Sequence, residues 1–159
     1  MDYEFAYRYA AASRLDEGGG LELATSGGST PEGEAAHPFF FSGFMERPDV
    51  VAAGLLAVAR VARTRFYVPP GMVPTPGGGL TRIGMLDPVV TSTAEGLRFE
   101  SFSVCCGVYA RLDVEASALD ATHRAVGVTN VDVNQPLRAA LASLRAGEPL
   151  HLDVGSEGL

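Results

Sequence analysis

The sequence predicts an α+β domain, with an antiparallel or mixed sheet packed against two main helices. Three observations carry that reading. Several short segments alternate apolar and polar residues, as Leu150, Leu152 and Val154 do around His151 and Asp153, which is the period of a half-buried strand. Two longer segments, near 48–65 and 135–146, repeat apolar residues every three or four positions, the period of a helix with one buried face. At 159 residues the chain fits one domain, a length that buries roughly two-thirds of its unfolded surface in one core.

The elements follow in order. Tyr3, Phe5, Tyr7 and Tyr9 alternate with Asp2, Glu4, Ala6 and Arg8, so 2–10 reads as a strand with one aromatic face. Gly18, Gly19 and Gly20 break the chain, and Leu21–Ala24 makes a short second strand. The stretch 25–36 is rich in Gly, Ser, Thr, Pro and Glu, too polar to pack, and is expected to be a mobile loop. Phe39, Phe40, Phe41 and Phe44 then crowd together ahead of a helix over 48–65. Pro48 suits its first position, Asp49 the positive end of its dipole and the Arg residues its other end. Its apolar stripe is Val51, Leu55, Val58, Ala59 and Ala62.

Phe66 to Val68 continues as a strand until Pro69 and Pro70 remove the amide donors a ladder needs. Four prolines and four glycines between Pro69 and Gly79 predict a second mobile loop, and Thr81–Leu86 a short helix. Val89–Ser92 and Leu97–Ser103 read as strands joined around Ala94, Glu95 and Gly96, with Val104–Val114 extending or pairing with them. Glu115–Val126 is ambiguous, with a short helical turn as one reading. Val128–Val133 is a further strand, after which Asn134 caps a helix carrying Leu137, Leu141 and Leu144 and ending near Gly147. The strand over 150–154 is the last element, and its abrupt end is that expected of a domain within a longer protein.

Composition excludes several classes. No apolar run approaches the roughly 20 residues of a membrane helix, and the N-terminus has no basic stretch leading into an apolar one, so a cytoplasmic location without membrane contact is expected. The net charge of −7 argues against nucleic-acid binding, although Arg60, Arg63 and Arg65 gather at one helix end. The basic residues are all Arg, and with the abundance of Ala, Gly and Val this points to a GC-rich bacterial genome.

The residues with chemistry in them are few. Cys105 and Cys106 stand side by side in LRFESFSVCCGVYARLD, expected to be one strand or a tight pair of strands. Adjacent residues can close only a strained disulfide ring, and on an extended backbone their side chains point to opposite faces. A buried core strand with one thiol facing inward is therefore the expectation. No histidine is spaced to serve either cysteine as ligand or base, and His37, His123 and His151 read as surface or capping residues. Asp113 and Asp132 sit near strand ends and are expected to be solvated or paired with Arg98 or Arg111 rather than gathered with Glu100. The glycine triplets match no phosphate-binding loop and read as turns. No catalytic residue, metal ligand or cofactor is assigned. The candidate ligand or interface residues are Phe39, Phe40, Phe41, Phe44, Glu100, Cys105, Cys106 and Arg111.

The segments HPFFFSGF, PDVVAAGLLAVARVARTRFYVPPGM, DPVVTSTAEGLRFESFSVCCGVYARLD, TNVDVNQPLRAAL and GEPLHLDVG, in this order, resemble the N-terminal region of actinobacterial-type SWIM zinc finger family proteins. The resemblance runs from about 37 to the end, with a weaker match over YEFAYRYAAASRL. It implies a longer parent that contacts DNA or protein through a CxC…CxH zinc motif. This chain holds no CxC, so that zinc site is not carried over, and VPTPGGGLTRIGML departs from the pattern as a loop insertion. The expected role is non-catalytic protein association, with a protein partner or a second copy of the chain. The alternatives are a small-ligand or enzyme site beneath 69–79 using Glu100, Cys105 or Cys106 and Arg111, and accessory nucleic-acid binding.

Overall fold

A computed structural model describes residues 8–67 and 87–156. The chain runs β1 (Arg14–Leu15), β2 (Gly20–Leu23), β3 (Thr25–Thr30), β4 (Gly33–Ala35), β5 (Phe41–Met45), α1 (Pro48–Arg63), β6 (Val89–Thr93), β7 (Gly96–Phe102) and β8 (Tyr109–Glu115). A 3-10 turn at Ala116–Ala118 follows, then β9 (Leu119–Arg124), β10 (Gly127–Val131), α2 (Gln135–Ser143) and β11 (His151–Val154). One sheet has the order β1-β2-β11-β5-β9, the other β4-β3-β10-β6-β7-β8. The pairing of β2 with β11 is parallel, and the other described pairs are antiparallel. This is the α+β domain the sequence predicts, with its strands divided between two sheets.

The chain passes repeatedly between the sheets, most directly from β2 to β3 through Ala24 and from β9 to β10 through Ala125 and Val126. One core therefore serves both. It joins Leu21, Leu23, Phe41, Leu152 and Val154 from the first sheet to Val90, Leu97, Phe99 and Val131 from the second. Helix α1 lies against β7 and β8 and adds its whole predicted stripe, Val51, Leu55, Val58, Ala59 and Ala62. Burying one such Leu or Phe side chain stabilises by about 1.5–3 kcal/mol. Ser101 is buried with this layer, where its hydroxyl donates to the Val58 carbonyl at 2.7 Å and so avoids an unpaired polar group. Helix α2 starts where the side chain of Asn134 accepts from the Leu137 amide at 2.9 Å, buries Leu137 and Leu141, and lies against α1 and β1.

Glycines hold two close approaches. Gly96 closes the β6–β7 turn with φ +146°, and a Cβ there would lie 2.1 Å from the Val114 carbonyl oxygen of β8. Gly127 opens β10 beneath the Phe40 ring, which a Cβ would meet at 2.4 Å.

Several expectations change or are resolved. Residues 25–36, expected to be a loop, form the β3–β4 hairpin, because backbone pairing with β10 and a buried Thr25 hydroxyl donating to the Pro38 carbonyl supply what the polar side chains lack. Cys105 and Cys106 lie in the turn between β7 and β8, not on a strand, and Cys106 has φ +56°, which removes the alternation that an extended backbone would impose. The ambiguous stretch 115–126 resolves into the short helical turn that one reading allowed, at Ala116–Ala118, and strand β9. Of the strand expected over Phe66–Val68, Phe66 and Tyr67 are not strand and Val68 lies outside the described residues. The predicted strand over 2–10 lies largely outside the described residues, and its last part, 8–10, is not strand. The loop over 69–79 and the helix over 81–86 also lie outside the described residues. No described helix is long and apolar enough to cross a membrane.

Candidate functional site

The β7–β8 ladder and the turn at its tip hold four of the eight candidate residues. Inward-pointing Leu97, Phe99 and Ser101 of β7 are buried, so Arg98, Glu100 and Phe102 face outward. Register sets Arg98 opposite Asp113, Glu100 opposite Arg111, and Phe102 opposite Tyr109. Arg98 reaches Asp113 at 2.7 Å and Arg111 reaches it at 2.6 Å, holding the Asp113 carboxyl below its usual range, with the Arg98 hydrogen bond the larger cause. The Tyr109 hydroxyl donates to Glu100, which pushes the phenol up, and the Tyr109 ring lies 5.0 Å from that of Phe102. Glu100 and Arg111 thus share a face, but both already have neighbours for partners.

Beyond Phe102 the ladder gives way to a turn. The Ser103 amide donates to the Val108 carbonyl at 2.8 Å, and the Val108 amide donates back to the Ser103 hydroxyl oxygen at 3.0 Å. The Val104 amide donates to the Thr64 carbonyl at 3.0 Å, tying the tip to the end of α1. The Cys105 sulfur accepts from the Phe66 amide at 3.3 Å and lies 3.4 Å from the Ser103 hydroxyl. The Cys105 thiol is lowered to about 6: the Ser103 hydroxyl leads, the Gly107 amide follows, burial opposes them, and the amides of Phe66 and Tyr67 add less. Both cysteines are free thiols, Cys105 half-buried and Cys106 exposed, so the expected burial in a core strand is corrected. Around the tip the rings of Phe66, Tyr67, Phe102 and Tyr109 are 56, 60, 54 and 46% exposed.

The phenylalanine cluster divides. Phe40 and Phe41 are core residues. Phe39 stacks on His123 with centroids 4.3 Å apart and, with Phe40, borders a shallow cleft of about 440 Å³ beside Pro38 and Val126. Phe44 is exposed and meets His151 edge-on at 4.9 Å. The structure therefore does not bring the four phenylalanines together with Glu100, Cys105, Cys106 and Arg111 as one site.

Sequence spacing gave no sign of a polar row across β5 and β11. The Ser42 hydroxyl lies 3.4 Å from His151 Nε2, and His151 Nδ1 lies 3.5 Å from an Asp153 carboxylate oxygen. Period two on β11 puts His151 and Asp153 on one face, but only the pairing of β11 with β5 brings Ser42 beside them. The order is that of a nucleophile, base and orienting acid. Both distances are long, and β5 is paired along both edges, with β11 and with β9, so its amides go mainly to ladders and not to an oxyanion.

The remaining charges serve the frame. Arg63 meets Asp87 at 2.9 Å, and burial raises the Asp87 carboxyl against the opposing pull of Tyr9 and Arg63. Asp132 accepts from the Ser13 amide and from Asn134, so it and Asp113 each have their own partners, as their sequence setting suggests for Asp113. Among the described residues no group of three or more His, Cys, Asp and Glu is arranged to hold a metal ion. Comparison with family models, with curated proteins and with solved structures finds no match to this chain.

Proposed function

We propose that this chain is a non-catalytic protein-association domain of a SWIM-type zinc finger protein, acting in the cytoplasm. The observation that carries the association reading is the group of exposed rings, Phe66, Tyr67, Phe102 and Tyr109, gathered at the β7–β8 tip. Large apolar side chains left in water in a group are informative, whereas single ones are not. Aromatics are also the residues that anchor interfaces, because they bury much area at little entropic cost. The neighbouring ladder, with Arg98 and Arg111 both on Asp113 and Glu100 accepting from Tyr109, supplies a polar rim. The SWIM part of the proposal rests on the ordered resemblance of the segments from residue 37 onward.

The net charge of −7 and the tie of Arg63 to Asp87 weigh against nucleic acid as the partner. The test is size-exclusion chromatography with light scattering, paired with capture from a lysate of the source, on the wild type and on a Phe102→Ser, Tyr109→Ser variant. Self-association or a captured partner that the double variant loses is the expected result. A strict monomer that captures nothing, or a partner held equally by both chains, overturns the proposal.

A further inference from the structure

We propose that the Cys105–Cys106 turn is a thiol–disulfide exchange site, in which Cys105 attacks a small-molecule disulfide and Cys106 resolves the product. Three features on different segments support it. At the turn that ends the sheet ladder, the Phe66 amide donates to the Cys105 sulfur at 3.3 Å and the Ser103 hydroxyl lies 3.4 Å from it. Phe66 and Tyr67 come from the far end of α1, and the Val104–Thr64 hydrogen bond holds the two segments in register. Cys106, next in the chain, is exposed and in the left-handed region, so the alternation that sets neighbouring side chains on opposite faces of a strand does not govern the pair.

The chemistry suits that arrangement. Thiolates are the attacking species, and attack is most efficient when the thiol titrates near ambient pH. The thiolate of Cys105 attacks one sulfur of R–S–S–R: a bond forms from Cys105 Sγ to that sulfur, the R–S–S–R bond breaks, and RS⁻ leaves with the electron pair. Cys106 then loses its proton to water and attacks Cys105 Sγ, and the second RS⁻ leaves. The two cysteines lose two electrons in total, and the small disulfide gains them as two thiols. A ring closed between adjacent residues is strained and hence easily reduced, which fits a reversible exchange and not a structural crosslink. The exposed residues Phe102 and Tyr109, whose rings lie 5.0 Å apart where the ladder enters the turn, and Phe66, whose amide meets the sulfur, favour a flat or apolar R group.

The test uses dithiodipyridine, a disulfide uncharged at neutral pH and so not repelled by a chain of net charge −7. Product release is followed by absorbance and the protein by intact mass, on the wild type, Cys105→Ser and Cys106→Ser. Each chain is first shown to melt at the same temperature. The wild type is expected to release two thiopyridones and retain no adduct. Cys106→Ser is expected to release one and keep one adduct. Cys105→Ser is expected to react about tenfold more slowly or worse, because its remaining thiol lacks the donors that lower Cys105. Equal rates in Cys105→Ser and the wild type overturn the attacking role. A wild type that keeps two adducts overturns the resolving role, and thiols that react only in urea overturn both.

Discussion

The row of Ser42, His151 and Asp153 and the turn around Cys105 make an instructive pair. Each sets a nucleophilic atom beside hydrogen-bonding groups, yet the two differ in what their backbones can spare. Ser42 sits on β5, flanked by β11 and β9, where ladder pairing consumes the amides. The Ser42 carbonyl is taken as well, accepting from the Thr122 hydroxyl at 3.1 Å. Cys105 sits where a ladder has ended, and its sulfur accepts from the Phe66 amide beside the Ser103 hydroxyl. Backbone amides are strong donors that must be satisfied somewhere. A sheet interior satisfies them internally, whereas a turn can aim them at a side chain, so anion stabilisation is available at the tip and missing from the row.

The comparison can be broken or sharpened by substitution. The largest effect is expected from Phe99→Ala on β7, fully buried beneath the ladder, which should cost about 3–5 kcal/mol in urea unfolding. If that loss is small, the tip is not built on a rigid layer. Next is Ser103→Ala, which removes a buried hydroxyl that meets both the Val108 amide and the Cys105 sulfur, at about 1–3 kcal/mol.

The same variant carries a pH signature. Iodoacetamide alkylation of Cys105 in the wild type should rise through a midpoint of about 6, and in Ser103→Ala that midpoint should move upward, since the largest cause of the lowering is gone. A folded thiol titrating below its unfolded value stabilises the fold at pH above the unfolded value, and that contribution fades as pH falls through about 6. An unmoved midpoint would assign the lowering to the amides alone.

Asp113→Asn should cost less than about 1 kcal/mol in the same unfolding measurement, because its two ion pairs are exposed and screened. A larger loss would show the outward ladder to be part of the frame. Smallest of all, Ser42→Ala should leave hydrolysis of a p-nitrophenyl ester at the wild-type rate. An acyl adduct on Ser42 of the wild type would break the contrast between row and tip.

Legibility in the sequence followed the strength of local signals. Helix α1 was readable because Pro48, Asp49 and a five-residue apolar stripe agree with one another, and α2 because Asn134 is a true cap. The β6–β7 turn was readable from Ala94, Glu95 and Gly96. The β3–β4 hairpin was not, since a strand reading TSGGST owes its place to pairing with β10 and not to its side chains. The cysteine turn was hidden for the opposite reason. Val104, Cys105 and Cys106 run on from a strand with Gly107 as the sole turn signal, and a non-glycine residue at positive φ gives no mark in sequence.

The sequence by itself determined the α+β class, both helices with their buried faces, and the strands β2, β6, β7, β10 and β11, because periodicity and capping act within a few residues. Only the tertiary structure decided that two sheets share one core, that Ser42 meets His151, and that the amide of Phe66 reaches Cys105 across 39 positions of chain. The physical reason is that those contacts join segments whose own sequences do not name their partners: strand register and the docking of α1 against β7 and β8 bring them together.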